Sequence, residues 1–131
     1  MKIVIATGGF DPLHSGHINY LKEAKKLGDQ LIVGVNSDEW LERKKGKSFM
    51  SWKERSTIVE ALGCVDHVID FDDHDNTAID AIYKVKKYNG PNCEIVFANG
   101  GDRDQYNIPE YEYYHQDMYM EFKFGVGGEK T

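Results

Sequence analysis

Apolar residues fall along this chain in short unbroken runs, separated by longer stretches of helical period. KIVIA (2–6), QLIVGV (Gln30–Val35) and EIVFA (Glu94–Ala98) are β-branched runs with few polar interruptions. A strand wetted on one side alternates apolar and polar positions, so unbroken runs imply strands covered on both faces. HVIDF (67–71) and MEFKFG (120–125) read as two more strands. Between the runs the period lengthens. In SGHINYLKEAKKLGD, Ile18, Leu21, Ala24 and Leu27 recur at helical spacing, and Gly28 supplies a C-terminal stop. NSDEWLERK reads as a helix capped by Asn36 or Ser37. SWKERSTIVEALG reads as a helix capped by Ser51, with Glu54 completing a capping box and Gly63 ending it. NTAIDAIYKVKKYNG is a further helix that stops at Asn89 and Gly90, and the tyrosine-rich YEYYHQDMYM (111–120) reads as a helix or turn feeding the last strand. Strands alternating with helices predict an α/β fold: a doubly wound, Rossmann-like parallel sheet of about five strands with helices on both faces.

Such a sheet binds ligands beyond the carboxyl ends of its strands. Four segments land there, 7–17, 36–38, 71–74 and 99–103, and each is polar or glycine-rich. Composition narrows the ligand. The 131 residues suit one domain, and 29% charged with 40% hydrophobic residues is ordinary for a globular protein. A net charge of −6 argues against nonspecific nucleic-acid binding, which needs a basic face. ERKKGK (42–47) is the one basic cluster, short but able to meet a phosphate. No apolar run approaches the roughly 20 residues that span a bilayer, and MKIVIATGG does not read as a signal peptide. Cys64 and Cys93, far apart and outside any CxxC, are expected to be reduced thiols of a cytoplasmic protein.

TGGFDPLHSGH (7–17) carries the chemistry. Gly8 and Gly9 let backbone approach a ligand, and Ser15 is placed to cap a helix opening near Gly16 whose free N–H groups favour an anion. His14 and His17 lie in that first turn, where two imidazoles can donate to phosphate oxygens as charge develops. A second reading makes them a helix-start pair satisfied by backbone groups. A zinc site is disfavoured, since HxxH without the glutamate of HExxH has no third ligand beside it.

GGFDPLHSGH resembles the GxFDxxHxGH signature of the nucleotidylyltransferase superfamily. Its continuation, INYLKEAKKLGDQLIVGVNSDEW, is similar to the cytidylyltransferase-like branch, which includes glycerol-3-phosphate cytidylyltransferases and the adenylyltransferase domain of ADP-heptose synthases. The resemblance runs from Lys2 to about Gly128. It implies transfer of an NMP group from ATP or CTP to a sugar or polyol phosphate, with release of pyrophosphate, with Mg2+ carried by the nucleotide and without a covalent enzyme intermediate. It implies that His14 and His17 hold the α- and β-phosphates and that Lys44 joins them in catalysis. Thr7, Gly8, Gly9, Phe10, Asp11 and Gly16, with Gly100, Gly101 and Asp102 of ANGGDR, would bind the nucleotide. Asp38, Lys45, Lys47 and Arg55 would meet the substrate. Each of the charged positions also has a plainer reading. Asp11 then caps a turn, the lysines are a solvated loop, Arg55 makes a helix-surface ion pair, and Asp38 is a first-turn acid. GGD, VNSDE and FDDHD lean to the heptose adenylyltransferases, and Gly63 stands where some cytidylyltransferases carry an arginine.

In the family the last strand leads through a loop to a Ser/Thr cluster that opens a final helix. FGVGGEKT ends at Thr131 with neither, so a shortened single domain, residues 1–131, is expected, its bared apolar surface favouring a homodimer. Two rivals stay open: CTP:glycerol-3-phosphate chemistry, and a non-catalytic nucleotide-binding module. A dinucleotide dehydrogenase fits poorly, because the first loop lacks G-x-G-x-x-G.

Overall fold

The computed structural model describes residues 1–101 and 103–128. Five strands, β1 (Lys2–Gly8), β2 (Gln30–Val35), β3 (His67–Ile69), β4 (Glu94–Ala98) and β5 (Met120–Lys123), form one sheet in the order β3-β2-β1-β4-β5. Every pairing is parallel. The helices are α1 (Ser15–Lys25), α2 (Asp38–Lys45), α3 (Trp52–Glu60), α4 (Ile79–Asn89) and α5 (Pro109–Tyr114).

Strand β1 is central and shows why its sequence has no alternation. Val4 and Ala6 face one core with Tyr20, Leu21 and Ala24 of α1 and Val59 of α3. Ile3 and Ile5 face the other, with Ala81, Ile82 and Val85 of α4. All four β1 residues are 0–1% exposed, so both faces are dry, as the doubly wound fold requires. Chain order reverses across β1, whose neighbours are β2 and β4. The crevice at that switch point lies at the carboxyl ends of these strands, beside Thr7, Asn36 and Asn99.

Several boundaries differ from the sequence reading, each for a visible reason. The strand expected over 67–71 stops at Ile69, because Phe71 turns inward and lays its ring over Gly34, where a Cβ would meet Phe71 Cε1 at 2.9 Å. Helix α3 ends at Glu60 with Ala61 as C-cap, short of Gly63. Ser51 accepts from the Glu54 N–H at 3.3 Å, but the return half of the capping box is not formed. Helix α4 opens at Ile79 rather than near Asn76. Asp75 folds residues 75–77 into a side-chain turn by accepting from the N–H and hydroxyl of Thr77, and the N-cap, Ala78, donates its N–H to the distant Glu110. Cys64 and Cys93 are free, and they pack against opposite cores.

Gly28 serves the fold differently from a left-handed helix stop. The helix has already closed at Lys26, and a Cβ on Gly28 would lie 2.8 Å from Val4 Cγ2 and 2.9 Å from the Lys2 carbonyl. Backbone cannot yield as a side-chain tip can. Gly28→Ala is therefore expected to lower stability by about 1–3 kcal/mol, the usual cost of overpacking. A urea midpoint unchanged from wild type would contradict this packing.

Candidate active site

The site is built on the loop that leaves β1. Phe10 takes φ 52°, turns its buried ring under Gly8, and meets the ring of His17 edge-on at 5.2 Å. A Cβ on Gly8 would strike that ring at 2.9 Å, and one on Gly9 would strike Leu41 at 2.9 Å, so these glycines make room for the protein's own side chains.

Helix α1 is capped by a histidine rather than by Ser15, which is its first residue. His14 Nδ1 accepts from the Gly16 N–H at 3.0 Å, and His17 Nδ1 accepts from the His14 N–H at 3.2 Å. The two rings stack with centroids 3.8 Å apart. A backbone N–H can only donate, so each Nδ1 carries no proton, and the neutral ring must carry it on Nε2. The bonds thus assign the tautomer. The backbone satisfies the Nδ1 edges of the pair, and the Nε2–H edges have no partner among the described residues. Burial, reinforced by the neighbouring His14, pushes the His17 pKa down to about 4. His17 is therefore a neutral donor at physiological pH.

Arg55 holds the surrounding loops. It is 0% exposed, and four hydrogen bonds engage its guanidinium: to the carbonyls of Met50 (3.0 Å), Gly9 (2.8 Å) and Asn36 (2.8 Å), and to Asp38 Oδ1 (2.7 Å). It is neither a surface ion pair nor a group exposed to solvent. It joins the loops after β1 and β2 to the segment before α3. Asp38, the other half of that pair, sits in the first turn of α2. Asp11 does parallel work. Its carboxylate is 1% exposed, accepts from the N–H groups of Phe49 (2.6 Å) and Met50 (2.7 Å), and pairs with Lys45 at 2.8 Å. These hydrogen bonds, with Lys45, hold its pKa below the ordinary carboxylate value despite the opposing effect of burial. Lys45 also donates to the Asp11 carbonyl at 2.8 Å. Lys44 lies over the Trp40 ring, 5.4 Å from its centroid, and Lys47 is exposed in the segment after α2.

Beside the histidine turn lies a cleft of ≈ 170 Å³ at the switch point. Thr7, Gly8 and Gly100 line it, as does Tyr20, one helical turn beyond His17, whose hydroxyl donates to the Ala98 carbonyl at 2.6 Å. Gly101 takes φ 64° in the turn beyond β4, and Asp102 lies outside the described residues. Among the described residues, no group of three or more His, Cys, Asp or Glu is placed to hold a metal ion, and no helix is long and apolar enough to cross a membrane. Residues that the sequence reading did not single out also shape the cleft. Buried Asp73 accepts from Asn36 Nδ2 (3.0 Å), Ser37 N (2.9 Å) and Ser37 Oγ (2.7 Å), fixing the loop after β2. Glu110 and Arg103 also line it. Glu110 had no local signal, since the group it holds, Ala78 N–H, lies 32 residues earlier.

Fold and site together define a nucleotidyltransferase-class domain. The chain belongs to the cytidylyltransferase-like family, whose profile matches residues 5–130. It is 38% identical over 126 residues to the bifunctional protein HldE of Helicobacter pylori strain P12, and 42% identical over 87 residues to that of Campylobacter concisus. The Helicobacter match covers 95% of this chain but 25% of the relative, so the chain spans about a quarter of that protein's length. Among solved structures, the lipopolysaccharide core biosynthesis protein of Thermoplasma volcanium superposes with a TM-score of 0.69 at 30% identity, covering 95% of this chain and 93% of that one. The bifunctional NMN adenylyltransferase/ADP ribose pyrophosphatase of Francisella tularensis shares the fold, with a TM-score of 0.64 at 18% identity over 94% of this chain and 37% of its own.

Two predictions follow from these bonds. An unfolded chain protonates His17 near its ordinary 6.5, and the folded chain near 4. Between those values the unfolded state holds more protons, so stability falls as pH drops from about 6.5 to about 4. His17→Gln should flatten that part of the profile of urea midpoint against pH; an equally steep profile in the variant would contradict the assignment. Arg55→Met would leave three carbonyls without their donor, at about 1–3 kcal/mol for each that stays buried and unpaired, while Asp38, a third exposed, can turn to water. A loss under 1 kcal/mol by chemical denaturation would show that the clasp is not holding the loops.

Proposed function

We propose that this domain transfers the NMP group of an NTP to the phosphate of a sugar or polyol phosphate, with ATP and a heptose 1-phosphate as the favoured pair. The observation that carries the reading is the stacked histidine pair, with two Nε2–H donors at the first turn of α1 beside a polar cleft. In this reaction an oxygen of the acceptor phosphate attacks the α-phosphorus. The α–β bridging bond breaks, and pyrophosphate leaves with the bond's electron pair. No proton transfer to a side chain is required. Catalysis then rests on holding the two reactants in line and stabilising charge on the phosphate oxygens. Neutral imidazoles suit that task, since they donate without the desolvation cost of a buried cation. The positive end of α1 acts in the same direction.

Lys44, which lies over Trp40 at the exposed end of α2, would close over the phosphates, with Lys47 beyond it. Lys45, Asp11, Arg55 and Asp38 act as positioning residues by fixing the loops that carry the donors. Gly100, Gly101 and Asp102 follow β4 and would border the base and ribose. Mg2+ would enter with the nucleotide. It keeps several waters, uses phosphate oxygens and needs few protein ligands. The identity to HldE proteins supports the heptose reading over the glycerol one. A cytoplasmic setting fits a consumer of NTP with free cysteines. The exposed Tyr83, Tyr88 and Tyr113 supply surface that a homodimer would bury.

A pyrophosphate-release screen crossing ATP, CTP, GTP and UTP with heptose 1-phosphate, glycerol 3-phosphate and other sugar phosphates tests this. Release is expected with ATP and a sugar 1-phosphate, and His14→Ala or His17→Ala should each lower kcat about 10²–10³-fold, as removing one preorganised donor does. Release with CTP and glycerol 3-phosphate would select the alternative acceptor chemistry. Nucleotide binding without release in any pair would make the domain a binding module.

A further inference from the structure

The cleft has an uneven inventory of polar groups. Asn36, Asn99 and Glu110 line it, at 7%, 8% and 5% exposure. Each is tied to the protein by one end only. Asn36 Nδ2 donates to the Asp73 carboxylate at 3.0 Å. Asn99 Nδ2 donates to the carbonyls of Phe97 (3.3 Å) and Lys123 (3.4 Å). Glu110 Oε2 accepts from the Ala78 N–H. Carboxylates and carbonyls only accept, so both amides are fixed with nitrogen toward the protein and oxygen away. Asn36 Oδ1, Asn99 Oδ1 and Glu110 Oε1 make no bond among the described residues. No buried side-chain nitrogen or oxygen among the described residues lacks a partner, so these three oxygens open onto the cleft.

A wall of acceptors selects a ligand that brings donors. It is wrong for a phosphate, which brings acceptors and negative charge, and the buried Glu110 carboxylate repels it further. A cation stands elsewhere: Arg103, exposed at the mouth, close enough to Tyr20 to act on its hydroxyl electrostatically. Tyr20 is one turn of α1 beyond His17. The cleft therefore has a donor-seeking interior and a cation, Arg103, at its exposed mouth.

We propose that Asn36, Asn99 and Glu110 bind the hydroxyl groups of a polyhydroxylated phosphate monoester, while Arg103 holds its phosphate toward the histidine pair. This deepens the proposed transfer reaction and rests on it for the identity of the second substrate. The polarity fixes the ligand's direction, hydroxyls inward and phosphate outward, which is the direction an attacking phosphate needs. It also makes the number of hydroxyls, rather than the phosphate, the feature that separates one acceptor from another.

Equilibrium binding tests the assignment apart from turnover. Heptose 1-phosphate, mannose 1-phosphate and glycerol 3-phosphate are titrated calorimetrically into wild type, Glu110→Gln and Arg103→Ala, each also titrated with ATP. Gln retains an oxygen for the Ala78 N–H, so the fold is kept, and a thermal melt of each variant checks this. The hexose and heptose phosphates should bind wild type more tightly than glycerol 3-phosphate. Glu110→Gln should weaken them about tenfold or more and shrink that preference, since hydrogen bonds to a charged group carry most of it. Arg103→Ala should weaken all three about equally, and both variants should hold ATP within about twofold of wild type, the spread expected where no bond of that strength is lost. Wild type that binds none of the three phosphates overturns the proposal even if the domain proves to be a nucleotidylyltransferase for other acceptors. Weakened ATP binding with unchanged sugar phosphate binding would overturn it too, by giving the cleft to the nucleotide. If sugar phosphate binding follows the expected pattern and no NTP yields pyrophosphate, the pocket stands and the transfer reaction falls.

Discussion

One buried guanidinium holds the working end of this molecule together. A charge at 0% exposure is costly to desolvate, and Arg55 is tolerated because four acceptors meet its N–H groups. Those acceptors come from the loop after β1, the loop after β2, the first turn of α2 and the segment before α3. Asp11 binds the same segment from the other side, through the N–H groups of Phe49 and Met50. Loops are ordinarily the mobile part of an α/β fold. Here two opposite charges, each buried and each matched to backbone groups, lock them to the sheet.

That rigidity gives the histidine pair its meaning. A helix start leaves backbone N–H groups unpaired, and an anion or a side chain must answer them. His14 and His17 answer with Nδ1, which turns Nε2–H outward on both rings. The cap and the donors are therefore one arrangement, and the edge-on Phe10 ring keeps His17 from swinging away. On the opposite side, the cleft presents oxygens where α1 presents N–H groups. The two surfaces meet at Thr7 and Gly8, at the end of the central strand.

The strands were legible in the sequence because burial on both faces strips polar residues from them, as Val4 and Ile5 show from opposite cores. The helix-start chemistry was legible too, through the spacing of His14 and His17, although Ser15 looked the better cap. Arg55 carried a signal that its residue type concealed. It precedes Val59 by four positions and Leu62 by seven, the spacing of the inward face of α3, and both pack in the first core. Glu110 carried none, and Asp73 only the polarity of its segment. Their partners, Ala78 and Asn36, are 32 and 37 residues away, so only the folded topology brings them together. The order of strands was hidden for the same reason, since it depends on crossovers and not on local period.

Both imidazoles give Nδ1 to the backbone, which puts the ring proton on Nε2. Long-range proton–nitrogen correlation NMR of the imidazole rings, followed from pH 7.5 down to pH 5, reads this directly. An unprotonated Nδ1 and a protonated Nε2 are expected on His14 and His17 at neutral pH, with His17 keeping that pattern at pH 5 because its pKa lies at about 4. A proton on Nδ1 of either ring, or titration of His17 near 6.5, would contradict it.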